Sequence, residues 1–154
     1  MTREITVPAH AFIASRETVS VDELPAFFDR AYPLLIDALQ AVGAHPAGPA
    51  RAYYFSPLTE TVDIAAAFPL HPEQVAAVEA AHPELVHHVP ECEAFTTRHH
   101  GSYDTLGRTW QELTEAVRES GRPAGPVCWE TYVTEPSPEA DPADMITDLY
   151  VTLA

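Results

Sequence analysis

Apolar positions along the chain recur with two periods, and the order in which those periods alternate predicts the elements. From Thr2 to Glu17 apolar and polar residues are interspersed around Pro8, with Ile5, Val7, Phe12 and Ile13 as apolar members, which predicts one broken strand or two short ones. Leu24, Phe27, Phe28, Ala31, Leu34, Leu35, Ala38 and Val42 then recur at helical spacing, between the N-cap candidates Ser20 and Asp22 and a stop at Gly43. Pro25 suits the first turn of this helix, whereas Pro33 falls inside it and is expected to bend or split it near Tyr32. After the turn cluster AHPAGP come an aromatic strand from Arg51 to Ser56, a turn over Pro57 to Glu60 and a second strand from Thr61 to Leu70, which together read as a hairpin. His71 to Glu84, bounded by Pro72 and Pro83 and rich in alanine and glutamate, reads as a short connecting helix.

From Val86 the same order starts again. Val89 to Arg98 reads as a strand, and Ser102 or Asp104 caps a helix whose Leu106, Trp110, Leu113 and Val117 stripe runs to Ser120 and Gly121. RPAGPVCWETYVTEP then echoes HPAGPARAYYFSP, with PAGP identical at Pro46 to Pro49 and at Pro123 to Pro126. A polar turn from Pro136 to Asp144 leads to a closing strand, Met145 to Leu153, whose ITDLYVTL parallels TVDIAAAFPL. The chain therefore reads as one domain over residues 1–154, built from two β-α-β-β units at about 3–70 and 86–153 with a connector at 71–85. The expected class is α+β: a mainly antiparallel sheet with both long helices on one face and a ligand cleft at the seam of the repeat. In the register set by PAGP, Tyr53 corresponds to Glu130.

Composition narrows the function classes. The 154 residues are 46 % hydrophobic and 20 % charged, enough apolar material for a substantial core and far from the composition of a disordered chain. No apolar run approaches the ~20 residues of a membrane span, and MTREITVPAH lacks the basic start and apolar block of a signal peptide, so the reading is cytoplasmic with no membrane partner. A net charge of −15, from 23 acids against 8 arginines and no lysine, argues against direct binding to nucleic-acid phosphates and suits a cationic partner. Cys92 and Cys128 are too few and too far apart for a disulfide framework or a CxxC metal site and read as buried, reduced thiols.

Against this background Glu130 stands out, because it is set between Trp129 and Thr131 with Tyr132 two positions on. Strand alternation puts Cys128, Glu130 and Tyr132 on one face and Trp129, Thr131 and Val133 on the other. A carboxylate among aromatics either occupies the solvent face of an edge strand or serves as a site acid with a raised pKa, which a bound cation would return to the ionised form. Tyr53, Phe68, Tyr103, Trp110, Trp129 and Tyr132 are candidate walls, many aromatics at such spacing being core alone. His99 and His100, with His87, His88, Glu91 and Cys92 nearby, invite a metal reading, but adjacent strand residues point to opposite faces and each His pair supplies one ligand at most. No metal site is expected, and His99 is assigned to fixing the strand-to-helix turn at Gly101. There is no GxSxG, no Cys/His pair in a recognised setting and no Gly-rich phosphate loop, hence no cofactor and no esterase, kinase or dinucleotide enzyme.

H-x-G-x-Y opening a helix (His99, Gly101, Tyr103), Trp110, the Gly125-Pro126 pair before a strand, and E-x-Y-x-x-x-P (Glu130, Tyr132, Pro136) together resemble the GyrI-like small-molecule-binding domain over about Glu4 to Leu153. The same domain is the effector-binding part of some AraC-type and MerR-type multidrug regulators. The resemblance implies a tandem β-α-β-β fold and a floor glutamate, at Glu130, that pairs with lipophilic cations held between aromatic rings. No helix-turn-helix flanks the pattern, so a stand-alone form is expected. The leading expectation is a binding protein for lipophilic, often cationic drug-like molecules, for sequestration or sensing, with Glu130, Trp129, Tyr132, Tyr53, Tyr103, Trp110, Phe68 and His99 as contact residues. The alternatives are a hydrolase that opens strained cyclopropane-bearing toxins, with Glu130 and Tyr132 as its acid-base residues, and a protein-binding role of the gyrase-inhibitor kind.

Overall fold

The computed structural model describes residues 2–56, 59–134 and 141–154, with the backbone alone at Pro126. In chain order the elements are β1 (Arg3–Val7), β2 (His10–Ser20), α1 (Leu24–Gln40), β3 (Arg51–Tyr54), β4 (Thr61–Pro69), α2 (Val75–Ala81), β5 (Val86–Val89), β6 (Cys92–His100), α3 (Leu106–Glu119), β7 (Ala124–Tyr132) and β8 (Ile146–Leu153). This is an α+β fold in which the order β-α-β-β occurs twice, as the periodicities predict. Two parts of that expectation, the turn at Pro57 and Leu58 and most of the Pro136 to Asp144 turn, lie outside the described residues; the end of the latter is a single 3-10 turn, Pro142–Asp144.

Residues 9–90 form one compact unit. Its strands pair antiparallel in the order β3-β4-β2-β5. Phe27, Ala31, Leu35, Ala38 and Leu39 of α1 are buried, whereas Leu34, a member of the predicted stripe, is 49 % exposed. The helix lies on the sheet face that carries Phe68: the Tyr32 ring meets Phe68 edge-on at 5.4 Å, and the Tyr32 hydroxyl donates to the Arg51 carbonyl at 2.7 Å. Pro33 does not split α1, contrary to expectation, and the helix continues to Gln40. Pro33 and Asp29, whose carbonyl loses its helical donor to the proline, are both exposed residues, a setting in which the lost bond costs least.

Residues 1–8 and 91–154 form the other unit, with antiparallel order β1-β6-β8-β7. Leu113 and Val117 of α3 are buried, and Trp110, one turn earlier on the same stripe, is half-buried. The predicted strand Val89 to Arg98 instead begins at Val86 and breaks at Pro90 into β5 and β6, matching the break at Pro8 between β1 and β2. A proline has no N–H to give a ladder, so each break frees the chain to change partners. Thus β1 pairs with β6, and β5 pairs with β2. Each unit carries an ion pair of its own of the same kind: Arg16 grips Asp63 through two bonds of 2.9 and 2.7 Å in the 9–90 unit, and Arg98 grips Asp148 through two of 2.8 and 3.1 Å in the other.

Candidate functional site

Glu130 lies toward the end of β7, the last strand in the order β1-β6-β8-β7 of the 1–8/91–154 unit. Trp129, Glu130 and Thr131 are 2 %, 3 % and 8 % exposed, so the strand is covered on both faces here. Register assigns the faces. Glu130 stands opposite Leu149, which stands opposite Thr97; Tyr132 stands opposite Thr147, which stands opposite His99. His99 bonds to Thr109 of α3, so the row of Glu130 and the row of Tyr132 both lie on the face toward that helix. The alternation read from the sequence holds: Cys128, Glu130 and Tyr132 share this face. Trp129 points the other way and stacks on Tyr150 at 4.9 Å, on the face that carries the Arg98–Asp148 pair.

The 3-10 turn Tyr103–Thr105 before α3 brings a second ring to the same place. Tyr103 and Tyr132 meet edge-to-face with centroids 5.9 Å apart. Burial and then the negative charge of Glu130 push the Tyr103 hydroxyl up, so it stays a neutral phenol. The same two causes, burial first, push the Cys128 thiol up to about 11. Glu130 is therefore close enough to bias the titration of a side chain on its own strand and of one on the turn before α3. Thr147, fully buried between Tyr132 and His99 in the register, has a hydroxyl without a hydrogen-bond partner among the described residues. Sequence reasoning missed Thr147 and Cys128 as neighbours of this site; alternation carried the signal for Cys128, but the cross-strand partner of Tyr132 could not be read before the register was known.

His99 holds the turn that presents Tyr103. Its Nε2–H donates to the Ser102 carbonyl at 2.9 Å, which leaves Nδ1 to accept from the Thr109 hydroxyl at 2.7 Å. Gly101 supplies φ +119°, a conformation side chains avoid, and its N–H donates to the Met145 carbonyl at 2.9 Å. Ser102 makes no side-chain cap on the turn, contrary to its expected role. Among the described residues no three His, Cys, Asp or Glu side chains converge in a way that could hold a metal ion, and no helix is long and apolar enough to cross a membrane.

Tyr53 and Phe68 belong to the 9–90 unit. Phe68 faces α1, while Tyr53, opposite Ala65 three residues from Phe68 on β4, faces away from it and is fully buried. Tyr53 is thus not the counterpart of Glu130. It matches the Trp129 face, and the residues of β3 that share the helix-facing side are Ala52 and Tyr54. The register taken from PAGP fails because the path from that motif into the strand is irregular: between Ala124 and Cys128, β7 advances four residues while β8 advances two.

Comparison with known proteins gives a number of structural likenesses, three of which follow. The fold resembles an EcmrR–DNA complex solved by cryo-electron microscopy, with TM-score 0.81 and 16 % identity over 99 % of this chain and 57 % of that one, so the chain spans little more than half the length of EcmrR. It resembles SAV2435 bound to tetraphenylphosphonium, with TM-score 0.72 and 11 % identity over 100 % of this chain and 94 % of that one. It also resembles a hydrolase encoded by lin2189 from Listeria innocua, with TM-score 0.68 and 15 % identity over 99 % and 91 % of the two chains. At these identities the likeness is one of fold. No curated protein matches by sequence. With the family match extending over residues 1–154, the chain belongs to the GyrI-like small-molecule-binding domain family.

Proposed function

We propose that the chain binds lipophilic, cationic drug-like molecules at the helix-facing side of β7, for sequestration or sensing, with Glu130 as counter-charge and Tyr103 and Tyr132 as walls. The observation that carries this reading is the burial of Glu130, 3 % exposed, on the same face as two rings in edge-to-face contact. A carboxylate removed from water gains strongly from a cation brought to it, and a delocalised cation loses less hydration on entering than a small one. Each ring under the cation adds about 0.5–2 kcal/mol. Membership in a small-molecule-binding family supports the reading, as does the phosphonium cation bound by the structurally similar SAV2435. Trp110 and His99 belong to the supporting shell, one on the α3 stripe and one under the Tyr103 turn.

The test is equilibrium binding of a fluorescent lipophilic dye cation to wild type and to Glu130→Gln. The expected result is a loss of about tenfold or more in the variant, the cost of removing one charge-assisted contact. Equal affinity in the two proteins rejects the counter-charge role.

One observation favours a second reading in the same site. A neutral phenol, Tyr103, stands in the field of a carboxylate, an arrangement able to donate a proton to a leaving group while Glu130 activates water. Under this reading the protein hydrolyses strained electrophiles, and the fold it shares with a Listeria innocua hydrolase is in keeping with it. Mass-spectrometric detection of a ring-opened, water-added product, absent with Glu130→Gln, separates turnover from binding.

A further inference from the structure

In the 1–8/91–154 unit the acid proposed to meet the ligand is shut in. Glu130 is 3 % exposed, so a cation reaches its carboxylate only when a neighbouring group gives way. How each neighbour is held decides which one can move. Cys128 and Tyr132 stand in the β7–β8 ladder, opposite Val151 and the fully buried Thr147, and both are half-buried. Leu113 and Val117 are buried under α3. Tyr103 differs from all of these: its ring is 39 % exposed, although it is near enough to Glu130 to feel that charge and touches Tyr132 edge-to-face at 5.9 Å.

The backbone and the side chain of Tyr103 are held very differently. The turn that carries it is tied on both sides: His99 Nε2–H donates to the Ser102 carbonyl, Thr105 N–H donates to the same carbonyl at 3.3 Å, Gly101 N–H donates to the Met145 carbonyl, and Leu106 N–H donates to the carbonyl of Tyr103 itself. The side chain has only the ring contact with Tyr132, and among the described residues its hydroxyl makes no hydrogen bond. A half-solvated ring kept in place by one aromatic pair can change rotamer without disturbing the backbone beneath it.

We infer that the Tyr103 ring is the gate of the Glu130 site: closed, it leans on Tyr132 and shields the carboxylate; open, it turns into solvent about its own side-chain bonds while the turn stays in place, and the ligand enters by the path it leaves. The inference rests on the reading of Glu130 as counter-charge. Opening gives up a single ring pair, and an entering cation restores an aromatic contact at Tyr132. The gate therefore sets how fast a ligand enters and leaves, whereas Glu130 sets how tightly it is held.

Labelling of carboxylates with a water-soluble carbodiimide and a small amine, read by mass spectrometry with no dye present, tests the gate. In the wild type Glu130 should be modified far more slowly than the exposed Glu112. Tyr103→Ala should quicken modification of Glu130 by about tenfold or more and leave Glu112 unchanged, since an open state populated at about ten per cent or less limits access in the wild type. Tyr103→Phe keeps the ring and should label like the wild type, and Tyr103→Leu repeats the test in the same direction if the alanine variant melts early. In stopped-flow mixing with the dye cation, both association and dissociation should be faster in Tyr103→Ala. Labelling of Glu130 as fast as Glu112 in the wild type, equal labelling of Glu130 with and without the ring, or faster dissociation with unchanged association, which marks a wall and not a gate, overturns the inference. Equal dye affinity in wild type and Glu130→Gln together with faster labelling in Tyr103→Ala would reject the counter-charge and keep the gate; weaker binding by Glu130→Gln with unchanged labelling would do the reverse.

Discussion

Cys128 sits two residues before Glu130 on the same face of β7, and its thiol reports the charge of that carboxylate. Burial contributes the larger part of the rise from an ordinary 9.0 to about 11, and Glu130 the smaller. Because the folded protein favours the neutral thiol, the stability this gives is fully present below pH 9 and is lost as pH climbs toward 11. In Glu130→Gln the repulsion disappears while burial remains, so the midpoint of the pH–rate profile for iodoacetamide alkylation of Cys128 should fall, yet stay above the value measured in urea. An unchanged midpoint would place the carboxylate too far away to act on its own strand. That Glu130, Cys128 and Tyr132 share a face was legible from alternation alone. Which face meets the helix was not, because it depends on register with β8 and on where His99 anchors α3. Trp129 shows the limit of sequence adjacency: it is next to Glu130 in the chain and on the opposite side of the sheet, stacked on Tyr150.

Secondary structure followed the apolar periods closely because each long element has one strongly buried face, as α1 and α3 show with their stripes from Phe27 to Leu39 and from Leu113 to Val117. The departures have local causes. An exposed Pro33 is tolerated at the surface, where the lost bond costs least, and prolines 8 and 90 divide what pattern alone reads as continuous or singly broken strands. The change of partners at those breaks was beyond reach of a local reading, since β1 pairs with a strand about 90 residues away. The start of α3 offers a sharp test, for the turn before it and its own first turn each contain a glycine, six positions apart, and the two should respond in opposite directions. Gly101, at φ +119°, has room for a Cβ, with Thr105 Oγ1 the nearest atom at 3.9 Å, so Gly101→Ala pays only in backbone strain, about 1–2 kcal/mol. Gly107 lies in the first turn of α3 with nothing within 4 Å, and Gly107→Ala should gain a few tenths to about 1 kcal/mol. Thermal melts should show a Tm lowered by roughly 2–8 °C in the first variant and slightly raised in the second. A neutral Gly101→Ala would mean that the turn presenting Tyr103 relaxes freely, and the geometry assigned to that ring would not stand.

A net charge of −15 gives this protein a negative field at long range, which would act on the proposed cationic ligand before any contact is made. Under the proposed function, two electrostatic effects operate on cation binding and differ in range. Attraction by the many surface carboxylates is long-range and is screened when the Debye length falls below ~10 Å at about 0.1 M salt. Attraction by Glu130, buried at 3 % exposure, acts at contact and is shielded from mobile ions. Dye-cation affinity should thus decline with added salt along nearly parallel lines for wild type and Glu130→Gln, the gap between them persisting at high salt. A neutral ligand of similar size should show little salt dependence in either protein. Convergence of the two cation lines at high salt would mean that Glu130 contributes only as one more member of the diffuse field. The buried-acid site would then give way to binding by apolar burial alone, with cation preference arising from the acidity of the whole surface.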